Sequence, residues 1–220
     1  SLPRLREEFG LSLVQAGWVS STLTTLAVLS ALGVGLLVAR LGAMRMVLGG
    51  LLVSAIGSIG ALLATGFAGL VASRISEGAG FLVVAVAGPA LISAASQPAD
   101  RRFCLGIWSS YMPAGAGLAM ALAPLVLPST GWRGLWIVSS LALLAAAAWA
   151  WRERQAYRPT DASGHVAPPL RQTLAVLRSP LPWLLALAFG LWALQHFALI
   201  IWLPTFLDEQ RHVPAGTVAL

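Results

Sequence analysis

Residues 67–96, FAGLVASRISEGAGFLVVAVAGPALISAAS, decide the medium in which this chain folds. Across that stretch only Arg74 and Glu77 are ionisable. About 20 apolar residues in a helix are enough to cross a hydrocarbon core of about 30 Å. The stretch is longer than that, and Gly88-Pro89 accounts for the surplus as a kink.

Working outward, five more segments have the same character, near residues 13–38, 44–64, 103–127, 132–151 and 181–203. The expectation is an all-α polytopic membrane protein with six transmembrane helices. Ser12, three residues before Gln15, forms a capping-box pattern at the start of the first segment. Trp132 and Trp151 flank the fifth segment, and Trp183 and Trp202 flank the sixth. Each pair is about 28 Å apart along a helix, with indoles at headgroup level.

Composition agrees. Charged residues make up 10% of the chain and mean hydropathy is +0.81, whereas soluble domains are about a quarter charged. The net charge of +6 does not indicate nucleic acid, because the arginines are scattered between apolar runs. Every basic residue is arginine, which excludes a lysine nucleophile or Schiff base. The single cysteine, Cys104, can form no disulfide within the chain and no paired metal-ligand motif. No cofactor or metal is expected. HExxH, GxSxG and lysine-ended phosphate loops are all missing from the sequence, so it does not read as an enzyme or an ATP-driven pump.

Arginine placement orients the chain, since arginine-rich loops stay in the cytoplasm. Arg40 and Arg45, then Arg101 and Arg102, then Arg152, Arg154, Arg158, Arg171 and Arg178 fall in alternate loops. Residues 152–180 read as a polar cytoplasmic linker that is either flexible or partly an amphipathic helix around Leu170–Leu177. The linker divides a five-span bundle, 1–151, from a further span, 181–220. Six spans would leave both ends outside, and Val213–Leu220 reads as a helix beginning, so the chain is expected to be an internal fragment.

Three motifs resemble the major facilitator superfamily. Gly35-Leu-Leu-Val-Ala-Arg40-Leu-Gly42-Ala-Met-Arg45 is similar to the family's loop motif of glycines and basic residues, with Ala39 where the family usually has aspartate. Arg74-Ile-Ser-Glu77-Gly78-Ala-Gly80 resembles the arginine and glycine motif of the fourth span. Gly106 to Gly117, followed by Gly131-Trp132-Arg133, resembles the fifth span and the turn into the sixth. With Trp202-Leu-Pro204-Thr-Phe-Leu, the combination looks most like the cyanate permease-like branch. The resemblance implies spans two to seven of a twelve-span fold, with the first span and the last five missing. It also implies a secondary transporter working by alternating access in a bacterial inner membrane, with the lipid bilayer, a small-molecule substrate and the missing spans as partners.

The candidate site residues follow from cost. An ionisable group inside a span is expensive unless it is paired or faces a cavity, which marks Arg74 and Glu77 as an anion anchor and a protonation site. The alternative is a structural ion pair between positions i and i+3. Trp108 with Tyr111, and Gln195 with His196, are further candidates for lining a substrate cavity, although a membrane histidine also serves as an interhelical hydrogen-bonding group. Gly35, Arg40, Gly42 and Arg45 form the conformational loop motif. Pro113 is either a hinge or a fixed kink. The small residues Gly50, Ser54, Gly57 and Ala61, and likewise Gly106, Ser110 and Ala114, read as helix-packing surfaces. The expected cargo is a small organic anion moved with protons. The other classes are a receptor or scaffold on the same fold, an exporter, and a membrane enzyme using Glu77 or His196.

Overall fold

The computed structural model describes residues 2–155 and 178–211. The chain divides into two compact units, 1–165 and 166–220, each described by itself. In the first, α1 (Leu2–Phe9) precedes α2 (Leu13–Leu41), α3 (Ala43–Leu62), α4 (Phe67–Ala95), α5 (Arg101–Ser109) and α6 (Tyr111–Arg152), followed by a 3-10 turn at Glu153–Gln155. In the second, α7 runs from Pro180 to Arg211. All regular structure among the described residues is helical.

The expectation of six membrane spans is overturned. Three helical stretches among the described residues are long and apolar enough to cross a membrane: Ala43–Leu62, Phe67–Ala95 and Arg101–Gln155. Part of the difference lies at Gly131, where two spans, 103–127 and 132–151, were expected. There the backbone leaves helical geometry for a single residue (φ 65°, ψ −159°), and helix resumes without a loop. A one-residue break at positive φ suits glycine, so two helices meet there at a kink with no loop between them and stand as one of the three stretches. The segments expected at 13–38 and 181–203 are helical, as Leu13–Leu41 and Pro180–Arg211, but neither stands among the three. The chain is a multi-pass membrane protein. Most of the expected linker, including Leu170–Leu177, and the expected helix start at Val213–Leu220 lie outside the described residues.

Local signals fix the joints. Ser12 accepts from the Gln15 amide at 3.1 Å, and Gln15 Oε1 accepts from the Ser12 amide at 3.0 Å, which closes the capping box. Ser21 and Thr25 donate to the carbonyls of Gly17 and Ser21, four residues back, and so satisfy themselves on their own helix. Gly42 alone joins α2 to α3. Its φ of 88° suits glycine, and its amide bonds the Val38 carbonyl.

Helix α4 packs on both α3 and α2, and α3 also packs on α6. Between α3 and α4 the contact is backbone to backbone. A Cβ on Gly57 would lie 2.6 Å from the Glu77 amide nitrogen, and one on Gly50 would lie 2.8 Å from the Gly80 carbonyl oxygen. Gly50, Ser54, Gly57 and Ala61 are all buried, as expected of a packing stripe. The second expected stripe differs. Gly106, Ser110 and Ala114 are exposed, so they form no packed surface among the described residues.

At one end of the bundle, α1 lies on a cluster formed by Leu5, Leu11, Val19, Ala64, Leu70 and Trp132. At the opposite end of α4, Val38, Met46 and Ala87 pack beneath the α2–α3 turn.

Gly80→Ala should destabilise the folded protein by about 1–3 kcal/mol, because the new methyl meets the Gly50 carbonyl and the Ser54 side chain. Gly117→Ala, in open space, should be neutral or stabilising by up to about 1 kcal/mol. Thermal unfolding in detergent compares the two. Equal melting temperatures would refute the close approach.

Candidate functional site

One face of α4 carries the site. Positions 74, 77, 81 and 88 fall within a narrow arc at 3.6 residues per turn, and each meets a different neighbour. Arg74 and Glu77 are in ion-pair contact, with side chains 19% and 13% exposed. Ser58 on α3 donates a hydrogen bond to Glu77 Oε1, and Ser54 donates to the Glu77 carbonyl at 3.3 Å. The serines can reach because the glycines of α3 bring the two backbones together. The Arg74 guanidinium carbon lies 5.0 Å from the centre of the Trp136 ring, a cation–π contact. Its Nη2 is buried against the Glu77 carboxylate.

Arg74, Glu77, Leu135, Trp136 and Ser139 line a cleft of about 220 Å³. That is below the range of about 300–1,000 Å³ found for drug-sized ligands. A guanidinium, an indole face and a hydroxyl at the mouth of a small cleft can hold a compact anion. The carboxylate of Glu77 competes for the same guanidinium.

Farther along the same face, Phe81 lies 6.2 Å from Tyr111, and Tyr111 lies 5.2 Å from Trp108. Gly88 admits the Trp108 ring, which a Cβ there would strike. Trp108 and Tyr111 therefore share the α4 face with Arg74 and Glu77, but they form a separate aromatic group and do not line the cleft. Gln195 and His196 belong to the second unit. His196 stacks on Trp192 at 4.8 Å, and Trp192 lies 5.6 Å from Phe189. Gln195 is exposed on the same helix.

The loop-motif residues Arg40 and Arg45 are exposed on either side of Gly42, and Gly35 lies two turns back in α2. Pro113 is the third residue of α6, where an N–H has no helical partner to lose. Sequence reasoning missed Ser58, Trp136 and Ser139. The first was legible as the residue four after Ser54 on the small-residue face. The other two come to the site only through the course of α6.

A second polar cluster ties α1 to α6. Trp132 Nε1 donates to Glu8 Oε2 at 2.5 Å, and Arg133 pairs with Glu8 Oε1 at 2.8 Å. The hydrogen bond from Trp132, joined by Arg133, holds the Glu8 carboxyl below its ordinary value of 4.5, against the opposing effect of desolvation. A carboxyl whose pKa is depressed by folding contributes stability above its unfolded pKa and loses it as pH falls through the folded value. Thermal stability should therefore be flat from pH 7 to about 5 at this locus and decline below about 4.5. Glu8→Gln should remove that part of the decline. An identical acid profile in wild type and Glu8→Gln would show that the contact does not titrate.

Residues 1–220 match the family described as Major Facilitator Superfamily. Over 216 residues the chain is 28% identical to the 3-(3-hydroxy-phenyl)propionate transporter of Escherichia coli (strain K12), covering 96% of this chain and 52% of that protein. Over 216 residues it is 30% identical to the cyanate transport protein CynX of the same organism, covering 94% of this chain and 53% of that protein. The chain thus spans about half the length of these curated relatives. No solved structure matches.

Proposed function

Because the chain belongs to the major facilitator superfamily, a family of transporters rather than enzymes, we propose that it forms part of a secondary carrier for a small organic anion. In this reading Arg74 anchors the anion and Glu77 exchanges the coupling proton. The observation that carries it is the Arg74–Glu77 ion pair, largely buried inside an apolar helix and lining a small cleft together with Trp136 and Ser139. The names of both relatives denote compounds that are anions at neutral pH, which supports an anionic cargo.

Charge balance gives the mechanism. Inside an apolar bundle an unpaired guanidinium or carboxylate is costly, so Arg74 holds one anionic partner at a time. An entering anion displaces Glu77 from Arg74, and Glu77 takes up a proton to stay neutral. The Ser58 hydroxyl, a donor to the carboxylate, can then accept from the protonated acid. Anion and proton are thereby bound together, and rocking of the two halves of the carrier delivers both. Residues 1–151 supply part of one half, 152–180 is the linker, and 181–220 opens the other.

Arg74→Gln in the full-length protein should weaken binding of 3-(3-hydroxyphenyl)propionate or cyanate at least about tenfold while folded yield is kept. If the pair is only structural, stranding one charge costs about 3–5 kcal/mol, and yield collapses. Glu77→Gln should abolish pH-driven accumulation in proteoliposomes and spare counterflow exchange. Wild-type transport and affinity in both variants would remove the assignment.

The arginine asymmetry places residues 152–180 on the cytoplasmic side. With Cys104 replaced by serine, cysteines at Ser163 and Ser129 should react with an impermeant maleimide from opposite sides of the membrane. Equal labelling of both in intact cells would reverse this topology.

A further inference from the structure

We infer that Glu8, at the capped end of the bundle, is a positioning residue for the Arg74 cleft, acting through Trp132 and Trp136. For its functional readout this rests on Arg74 as anion anchor. The structural link stands apart from that reading.

The connection is a chain of direct contacts within the first unit. Both carboxylate oxygens of Glu8 are engaged, Oε2 by the Trp132 indole and Oε1 by Arg133. The Arg133 guanidinium also lies 4.4 Å from the centre of the Trp132 ring, so donor, acceptor and ring are held as one group. Trp132 is 3% exposed and is packed by Phe9, Leu5 and Leu70. It packs edge to face with Trp136, one turn later, at 5.3 Å and 88°, an arrangement that fixes relative ring orientation. The Trp136 face in turn carries Arg74.

The place where this group joins α6 gives it leverage. Trp132 and Arg133 directly follow Gly131, where the backbone leaves helical geometry. The residues after that break owe their direction to what grips them, and Glu8 grips the first two. Without the carboxylate, the N–H of the buried Trp132 loses its acceptor in this part-buried contact. That cost favours rotation of the indole toward another acceptor. Rotation of Trp132 shifts the ring against which Trp136 rests, and Arg74 moves with it. The alternative is that Glu8 only fastens α1 to the bundle.

The test uses the full-length protein with Cys104→Ser and a reporter cysteine at Ser139, an exposed residue lining the cleft. Maleimide labelling rates are measured in membranes for Glu8→Ala, Glu8→Gln and Trp132→Phe. Glu8→Ala and Trp132→Phe should change the Ser139→Cys labelling rate about fivefold and weaken binding of 3-(3-hydroxyphenyl)propionate by a similar factor. Glu8→Gln, which keeps an acceptor for the indole, should restore most of both. A cysteine at Leu118, on an exposed part of α6, should label at an unchanged rate. If Glu8→Ala does not fold, Trp132→Phe against Glu8→Gln decides by the same criterion. Folded variants that lose thermal stability but label Ser139→Cys at the wild-type rate would overturn the inference and leave Glu8 as a fastener. Altered labelling together with an Arg74→Gln variant of unchanged affinity would uphold the link and discard the anion reading.

Discussion

Between α3 and α4 no side chain separates the backbones at Gly50, Gly57 and Gly80, and the two helices touch through amide and carbonyl groups. In lipid there is no hydrophobic gain from pressing one apolar helix on another, so such closeness rests on dispersion and on hydrogen bonds across the contact. Ser54 and Ser58 supply those bonds, and both end on Glu77. The packing of α3 on α4 and the solvation of the buried carboxylate are therefore one arrangement. A larger side chain at the glycines would separate the helices and leave the carboxylate with Arg74 alone.

That arrangement also explains why an arginine can stand in this helix. Arg74 is balanced on one side by Glu77 and on the other by the Trp136 face, a weak and replaceable partner. A guanidinium held by one competing carboxylate and one aromatic ring is poised to exchange partners. A fully hydrogen-bonded one would not be. In the proposed reading the same pair of charges is balanced within itself when the cleft is empty and recognises an anion when one arrives, with the net charge inside the bundle unchanged.

The two ends of the bundle are built differently. At one end a single glycine, Gly42, turns the chain between α2 and α3, with Arg40 and Arg45 exposed beside it. At the other, α1 is docked by Leu5 and by Glu8 onto the start of the second segment of α6. Gly131 permits that segment to take its own direction, and the contacts made by Trp132 and Arg133 select it. The bundle is tied at the same place where its longest helix is free to bend.

Much of this was legible in the sequence. Apolar runs, the Ser12–Gln15 box, Gly42 and the Gly50–Ala61 stripe each depend on neighbours within a turn or two, and local periodicity reports them faithfully. Arg74 and Glu77 stood out for the same reason, as charges in a run that has no others. The membership of one family was carried by short motifs at Arg40, Arg74 and Gly131. What hydropathy could not decide was how many helices cross, since three stretches of the described residues are long and apolar enough where six were expected. Nor could it bring Trp136, Ser139 and Ser58 to the Arg74–Glu77 pair, or Glu8 to Trp132 across 124 residues of chain. Those meetings depend on the directions of whole helices, which are set by close backbone approach and by a glycine break. A sequence pattern records which face of a helix is small or apolar. Which residue of another helix lies against that face is decided only when the bundle packs.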